Sequence, residues 1–180
     1  MSSIDSQARA TTGLPPEQAL QLATQLHEYL FSGGTLSEML DLSSEGMEAL
    51  YAHGHQLYSQ GRYFDALQAF SFLLMHNQYE RRYYMGFAAC LQMRQQPEDA
   101  LKYYSMASLL DLSDPHPIFH SAQCMLTLAR VAPARTALEL VCKLCAGQPQ
   151  HAALGQRAGA MCQLLAQAND SSDNKEQHHA

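Results

Sequence analysis

Small and large apolar residues recur along the middle of the chain at a fixed interval of 34 positions. Two columns of small residues and two columns of larger apolar residues keep this interval over three periods: Gly54, Ala88 and Ala122; Ala66, Ala100 and Ala134; Phe70, Tyr104 and Leu138; Leu57, Leu91 and Met125. An interval of this length is typical of a repeated helix-turn-helix unit, which buries its apolar face only by stacking on its neighbours. The pattern therefore predicts an all-α fold with three consecutive helix pairs.

The columns also indicate how the two helices of each pair pack. A small residue on each helix lets the two axes approach closely, and a large residue fills the groove between them. Because 34 residues is the length of a tetratricopeptide repeat, we predict three such repeats in a right-handed superhelix. We place them at residues 47–80, 81–114 and 115–148, within a domain that spans residues 47–150.

Turn residues separate the helices inside and between these repeats. We predict turns at Gln60–Arg62 in the first repeat and at Gln95–Glu98 in the second. Closely spaced prolines in Asp114–Pro117 separate the second repeat from the third, because a helix cannot continue through them. In the third repeat Pro133 stands beside Ala134, in the first turn of the second helix, and an irregular repeat is expected there.

Two short helices are predicted ahead of the repeats, within residues 17–46. Gly33–Gly34 ends the first of them, and Thr35–Glu38 matches a capping box, in which two side chains satisfy free backbone amides. The first helix carries an apolar stripe larger than a short neighbouring helix needs, which predicts self-association as a homodimer. The dimer residues we predict are Leu22, Leu26, Tyr29 and Leu30.

The two ends of the chain differ from each other in their predicted structure. Residues 151–168 form an amphipathic pattern and are predicted to cap the open apolar face of the last repeat. Residues 1–16 and 169–180 are small or polar without periodicity, and we predict that both segments are disordered.

The composition excludes several classes of partner. The 180-residue chain is 47% hydrophobic and carries a net charge of −6. Without clustered Lys and Arg, nucleic acid and an anionic membrane surface are poor candidates for the main partner. No apolar stretch reaches the roughly 18 residues of a membrane span, and no secretory pattern opens the chain, so we predict a cytoplasmic protein. Its five cysteines are odd in number and indicate reduced thiols.

Candidate chemistry is sparse. Cys142 and Cys145 form a possible redox or zinc half-site, but no second pair follows and the surroundings are not electropositive. His116 and His120 stand one helical turn apart, without a further ligand at metal-binding spacing. A Gly-rich phosphate loop, a nucleophile elbow and a catalytic triad are all missing from the sequence. We therefore predict no catalytic residue, no metal and no cofactor.

The first helices of the repeats are expected to line a concave groove. Positions five, nine and twelve of each repeat share one stripe, because they stand at i, i+4 and i+7. Tyrosine suits a wet peptide groove, since it has an apolar face and a polar tip, whereas packing against neighbouring helices is the alternative role, above all for Leu126. Ala89 would open a shallow pocket for a leucine or proline side chain. The predicted peptide-binding residues are Tyr51, His55, Tyr58, Met85, Ala89, Gln92, Phe119 and Gln123.

Several stretches between residues 17 and 168 together resemble one protein family. These stretches are Gly33–Thr35, Leu50–Tyr51, Gln56–Tyr58, Gly61–Tyr63, Gly86–Cys90 and Pro117–Cys124. Through them the chain is similar to the class II chaperones of bacterial type III secretion systems, which hold hydrophobic translocator proteins in the bacterial cytoplasm. Ala129–Pro133 departs from the family, in which a glycine-containing turn is expected.

The resemblance implies a non-enzymatic, ATP-independent chaperone that holds an extended N-terminal segment of a pore-forming translocator in its concave groove. Binding would prevent premature association and degradation before secretion. Several family members form homodimers through their N-terminal helices, and some co-regulate secretion genes with a transcription activator. The alternative from another class is a generic tetratricopeptide scaffold that joins two folded cytoplasmic proteins. The aromatic groove argues against the version of that scaffold that grips a C-terminal carboxylate with Lys, Asn and Arg.

Overall fold

The computed structural model describes residues 15–177, and all regular secondary structure in this part of the chain is helical, with no strand. Its helices are α1 (Pro16–Phe31), α2 (Leu36–Met39), α3 (Ser44–Ser59), α4 (Tyr63–His76), α5 (Arg81–Met93), α6 (Pro97–Leu110), α7 (Pro115–Thr127), α8 (Val131–Cys145) and α9 (Ala152–Gln177), with a turn of 3-10 helix at Pro149–His151. The predicted all-α fold is confirmed. The chain divides into two compact units, Met1–Asp41 and Leu42–Ala180.

The two ends of the chain compare differently with the predicted disorder. Residues 1–14 and 178–180 lie outside the described residues, so that prediction is not addressed there. At the other end, α9 continues to Gln177, beyond the predicted helix end at 168. The segment after 168 contains neither Gly nor Pro, so no residue in it forces the helix to stop.

In the first unit, the junction between α1 and α2 has the predicted capping box. The Glu38 backbone N–H donates to Thr35 Oγ1 at 3.3 Å, and the Thr35 N–H donates to Glu38 Oε2 at 2.9 Å. The helix α1 ends where Gly33 adopts a φ of 95°, which suits glycine. The Tyr29 hydroxyl also donates to Glu38 Oε2 at 3.0 Å, so this tyrosine packs across the junction.

In the second unit, three helix pairs occupy the three predicted repeats, and α3 begins slightly ahead of residue 47. The small columns lie in the core: Ala66, Ala88, Ala100, Ala122 and Ala134 are fully buried and Gly54 is buried. The large residues Phe70, Tyr104 and Leu138 are at most 1% exposed. These columns therefore supply the helix contacts that the interval predicts.

The large residue of each second helix reaches the first helix of the next repeat. Phe70 on α4 lies so close to α5 that a Cβ atom added at Gly86 would stand 2.5 Å from its ring. Tyr104 on α6 stacks on the ring of His120 in α7, with centroids 5.3 Å apart. Gly86 and His120 are separated by one interval, so equivalent positions receive different side chains in successive repeats.

The turns inside the three repeats share one backbone conformation. Gly61, Gln95 and Ala129, again one interval apart, have φ values of 77°, 61° and 57°. Each is followed by a backbone hydrogen bond that closes the helix end: Arg62 to Leu57 at 3.0 Å, Gln96 to Leu91 at 3.0 Å and Arg130 to Met125 at 2.8 Å. The third repeat was expected to be irregular beside Pro133, but its turn has the same conformation as the other two, and Pro133 lies in the first turn of α8. Ala129 adopts the left-handed conformation without being glycine, at a cost of about 1–2 kcal/mol.

The last helix closes the array. Leu154 and Ala158 of α9 are buried and pack in one cluster with Leu138, Val141 and Cys145. Leu154 follows His120 by one interval, so α9 takes the place of a fourth first helix that has no partner. The predicted capping helix is confirmed.

Candidate peptide-binding groove

One cavity of the second unit is built from all three repeats. It has a volume of about 250 Å³ and is lined by Tyr51, His55 and Tyr58 of α3, Phe70 of α4, Met85, Gly86 and Ala89 of α5, and His120 of α7. We call it the groove pocket. Five of the eight predicted peptide-binding residues line it: Tyr51, His55, Tyr58, Met85 and Ala89.

Two larger depressions are less suited to a chain that runs along the repeats. One, of about 470 Å³, is lined by Leu50, Phe72 and other residues of the first repeat. The other, of about 510 Å³, is lined by residues of α8 alone. Each belongs to a single repeat, whereas the groove pocket lies where three first helices meet. We therefore take the groove pocket as the candidate site.

Tyr51 forms one wall of the groove pocket, and contacts on several sides hold its ring. Its ring centroid lies 5.9 Å from that of Phe70 and 5.9 Å from that of Tyr83. The Arg82 guanidinium lies 4.7 Å from the Tyr51 centroid, and Arg82 is bound in turn by Glu48 at 3.0 Å. The tyrosine is only half-buried, so a rigid ring remains available to a ligand.

Tyr58 and His55 complete the contribution of α3. The Tyr58 ring packs edge-on against Tyr63, with centroids 5.3 Å apart. Burial raises the pKa of Tyr58, so its hydroxyl keeps its proton and can donate a hydrogen bond. His55 is exposed and offers a second polar group.

The helix α5 provides the least bulky part of the groove pocket. Met85, Gly86 and Ala89 are half-buried and lie side by side on one face. Because Gly86 has no side chain, the Phe70 ring reaches past α5 and becomes part of the lining. Gly86 and Phe70 were not among the predicted groove residues, although Gly86 and His120 form a further column with the 34-residue interval.

His120 is the third lining residue that the sequence analysis missed as a groove residue. It is half-buried, stacks on Tyr104 with an interplanar angle of 14°, and meets Phe119 edge-on at 5.8 Å. Its Nδ1 lies 3.0 Å from Gln123 Oε1. Burial lowers the pKa of His120, so the neutral ring is favoured.

Three predicted groove residues do not line the groove pocket. Gln92 accepts a hydrogen bond from the Tyr104 hydroxyl at 2.8 Å, and the Tyr104 ring stacks on His120. Gln123 lies within hydrogen-bond distance of His120 itself, so both glutamines help to fix the His120 ring. The prediction that Phe119 lines the groove is wrong, because this residue has no exposed surface. The Arg157 guanidinium of α9 lies 4.9 Å from its ring centroid, so the capping helix covers a position that would otherwise face the groove.

The dimer residues on α1 are only partly described. Tyr29 is 38% exposed and Leu30 is half-buried. The side chains of Leu22 and Leu26 lie outside the described residues. The homodimer surface on α1 therefore stays a prediction.

The cysteines and histidines considered as ligands do not converge in the described part of the chain. Within residues 15–177, no group of three His, Cys, Asp or Glu side chains could hold a metal ion. Cys145 is buried, and this burial raises its pKa. His116 binds Asp114 at 2.6 Å, whereas His120 binds Gln123, so the two histidines have separate partners.

The chain is similar to known proteins over most of its length, although no model of a protein family matches it. It is 32% identical over 148 residues to the low calcium response locus protein H of Yersinia pseudotuberculosis, covering 82% of this chain and 87% of that protein. It is 34% identical over 121 residues to the chaperone protein SicA of Salmonella typhimurium, covering 67% of this chain and 73% of SicA.

Solved structures of two relatives contain bound segments of other proteins. PcrH of Pseudomonas aeruginosa, in complex with the chaperone binding region of PopD, matches with a TM-score of 0.69 and 38% identity over 71% of this chain and 96% of PcrH. The type III secretion chaperone SycD of Yersinia enterocolitica, in complex with a peptide of the translocator YopD, matches with a TM-score of 0.68 and 30% identity over 71% of this chain and 98% of SycD. SycD has also been solved as an alternative dimer.

Proposed function

This chain belongs to the family of type III secretion translocator chaperones, and we propose that it binds an extended N-terminal segment of a hydrophobic translocator protein in the groove pocket. The bound translocator is kept from premature association and degradation before export. The observation that carries this proposal is a cavity lined by the first helices of all three repeats. A chain running along the repeats would contact each of them in turn.

The size and lining of the groove pocket support an extended peptide as the ligand. Its volume of about 250 Å³ falls below the roughly 300–1,000 Å³ of pockets for drug-sized molecules. That volume suits one or two apolar side chains, such as leucine or proline, inserted from a peptide whose remainder stays outside. Ala89 leaves room for the side chain, and Tyr51 and Tyr58 supply rigid aromatic walls.

The proposal divides the predicted groove residues into two groups. Tyr51, His55, Tyr58, Met85 and Ala89 contact the peptide. Gln92 holds Tyr104, on which His120 stacks, and Gln123 holds His120 itself. Phe119 belongs to the core and is not part of the site.

The first unit supports a second part of the proposal, self-association through α1. The apolar stripe predicted on that helix includes Tyr29, which keeps more than a third of its surface exposed. SycD, a relative with 30% identity, has been solved as a dimer. In a two-fold dimer the same patch of each copy meets itself, so the apolar stripe of α1 can pair with the stripe of a second copy.

The proposed activity is holding, without a chemical step, and its site is the bacterial cytoplasm, where translocators await export. No helix in the described part of the chain is both long and apolar enough to cross a membrane.

Cooperation with a transcription activator, as in some family members, remains a prediction. A generic scaffold, the alternative from another class, would bind folded domains and would have no need of a pocket for single side chains.

The proposal can be tested by calorimetric titration of the full chain with the chaperone binding region of PopD and with the YopD peptide. We expect wild type to bind at least one of them, and Ala89→Glu to bind at least about tenfold more weakly, because an unpaired carboxylate in an apolar pocket costs more than the about 1–3 kcal/mol of an uncharged polar group. Ala132→Glu, at an exposed position on α8, is the matched control and should bind as wild type does. Equal affinity of Ala89→Glu and wild type would place the site elsewhere.

A further inference from the structure

His120 has one ring nitrogen engaged and one nitrogen without a partner. Its ring is fixed between Tyr104, which stacks on it, and Phe119, which meets it edge-on. Nδ1 lies 3.0 Å from Gln123 Oε1, so Nδ1 carries the proton of the neutral ring and donates to that oxygen. Nε2 is then a hydrogen-bond acceptor, and it has no partner among the described residues.

An extended peptide brings the donors that such an acceptor requires. The chain of an extended segment has a backbone N–H at each residue other than proline, and these groups lose their hydrogen bonds to water when the segment enters a groove. The rest of the lining is aromatic and apolar, apart from the hydroxyls of Tyr51 and Tyr58 and the exposed His55. His120 is therefore the group best placed to accept a backbone N–H on the α7 side.

We propose that Nε2 of His120 accepts a hydrogen bond from a backbone N–H of the bound segment, so that the groove pocket binds its ligand only when this ring is neutral. The inference rests on the proposed function and deepens it. It makes His120 a binding residue that contacts the backbone of the peptide. Such a contact does not depend on the side chains of the ligand. It also gives the complex a pH dependence that comes from the chaperone.

The surroundings of His120 favour the neutral ring on balance. Burial is the largest influence and lowers its pKa, and the hydrogen bond to Gln123 opposes this. The other titratable and charged groups that face the ring or share its cavity are His116 and Asp114 beside it, Arg157 on α9, Tyr104 on α6, and His55 and Tyr58 on α3. Of these, His116 and Arg157 lower the pKa further and Asp114 raises it.

The sign of the pH dependence follows from which form the peptide stabilises. A hydrogen bond accepted by Nε2 stabilises the neutral ring, so binding lowers the pKa of His120 below its value in the free protein. Affinity is therefore constant at neutral pH and falls as the pH drops through the pKa of the free protein. For a single proton, the loss reaches at most about tenfold per pH unit.

The test combines two measurements on the full chain with the PopD region or the YopD peptide. NMR titration of the His120 ring should give a lower pKa in the complex than in the free protein. Calorimetry should show wild-type affinity falling with acid, whereas His120→Gln, whose amide can accept a hydrogen bond but does not titrate, should lose this dependence on pH. His53→Gln, which changes an exposed histidine outside the groove pocket, should keep the wild-type slope.

The outcomes separate this inference from the proposed function. If wild type binds neither segment at neutral pH, both fail. If it binds but its affinity does not depend on pH, or if the His120 pKa is unchanged or higher in the complex, only the role of His120 is overturned. Circular dichroism across the same pH range checks that each variant stays folded. If His120→Gln does not fold, the NMR titration of wild type still decides the question.

Discussion

Replacing Gly86 by Ala tests the contact that shapes both the core and the groove pocket. A Cβ atom added at Gly86 would stand 2.5–2.8 Å from three atoms of the Phe70 ring, closer than side-chain carbons approach each other. The ring cannot retreat easily, because it is only 1% exposed and already faces Gly54, where an added Cβ would lie 3.2 Å away. Gly86→Ala must therefore displace a packed aromatic ring.

The expected magnitude is a balance of two effects. Overpacking a core costs about 1–3 kcal/mol. Replacing Gly by Ala inside a helix returns about 0.8–1.0 kcal/mol of helix propensity. Gly159→Ala in α9 is the matched control, since beyond the local backbone of α9 no atom lies within 4 Å of its added Cβ and only the propensity gain applies. We therefore expect Gly86→Ala to be about 1–3 kcal/mol less stable than Gly159→Ala.

Urea unfolding followed by far-UV circular dichroism measures this difference directly. Both variants should keep the wild-type dependence on urea, so that a shift in midpoint reports stability alone. Because Phe70 lines the groove pocket, Gly86→Ala should also change the affinity for the PopD region, and Gly159→Ala should not. Equal midpoints for the two variants would refute the claim that the Phe70 ring requires a glycine at position 86.

Three further predictions concern the core, a turn and the first unit. Phe119→Ala should lower the free energy of unfolding by about 3–5 kcal/mol, the cost of truncating a buried aromatic residue, and a loss below 1 kcal/mol in urea melts would contradict its core position. Ala129→Gly should unfold at the same or a higher urea concentration than wild type, because it removes about 1–2 kcal/mol of left-handed strain, whereas Ala132→Gly inside α8 should unfold at a lower one. Deleting residues 1–34 should abolish the dimer in sedimentation while the repeats stay helical, and a dimer that survived would move the interface away from α1.

The fixed interval predicts the fold because it records contacts that recur in each repeat. Every column of small residues faces a neighbouring helix at the same depth, so burial follows from the interval without knowledge of the rest of the chain. The same argument fails for exposure. Tyr51 and Phe119 occupy equivalent positions, but Phe119 is covered by Arg157 of the capping helix, whereas Tyr51 keeps an open face. Whether a stripe position faces the groove therefore depends on the helix that follows it. For the last repeat that helix is α9, which covers Phe119.

The turns show a second case in which the residue type alone does not predict the local structure. Glycine marks the left-handed position in the first repeat only, at Gly61, so a search for glycine finds one turn of three. Gln95 and Ala129 adopt the same φ because the helices on either side are held by the same contacts. Tertiary packing thus imposes a conformation that the local sequence disfavours, and the equivalent position in the interval predicts it better than the residue type does.

The location of the groove pocket depends on the size of the residue that faces each second helix, because this size differs from one repeat to the next. Each second helix presents a large residue to the next first helix: Phe70 meets Gly86, Tyr104 meets His120, and Leu138 packs in one cluster with Leu154. Where the facing residue is glycine, the aromatic ring passes beside the helix and becomes part of a cavity wall. Where it is histidine, the ring is covered and a polar edge is added. The first and second repeats therefore supply the aromatic and apolar part of the lining and the third supplies His120, so a side chain bound in the groove pocket lies beside all three repeats.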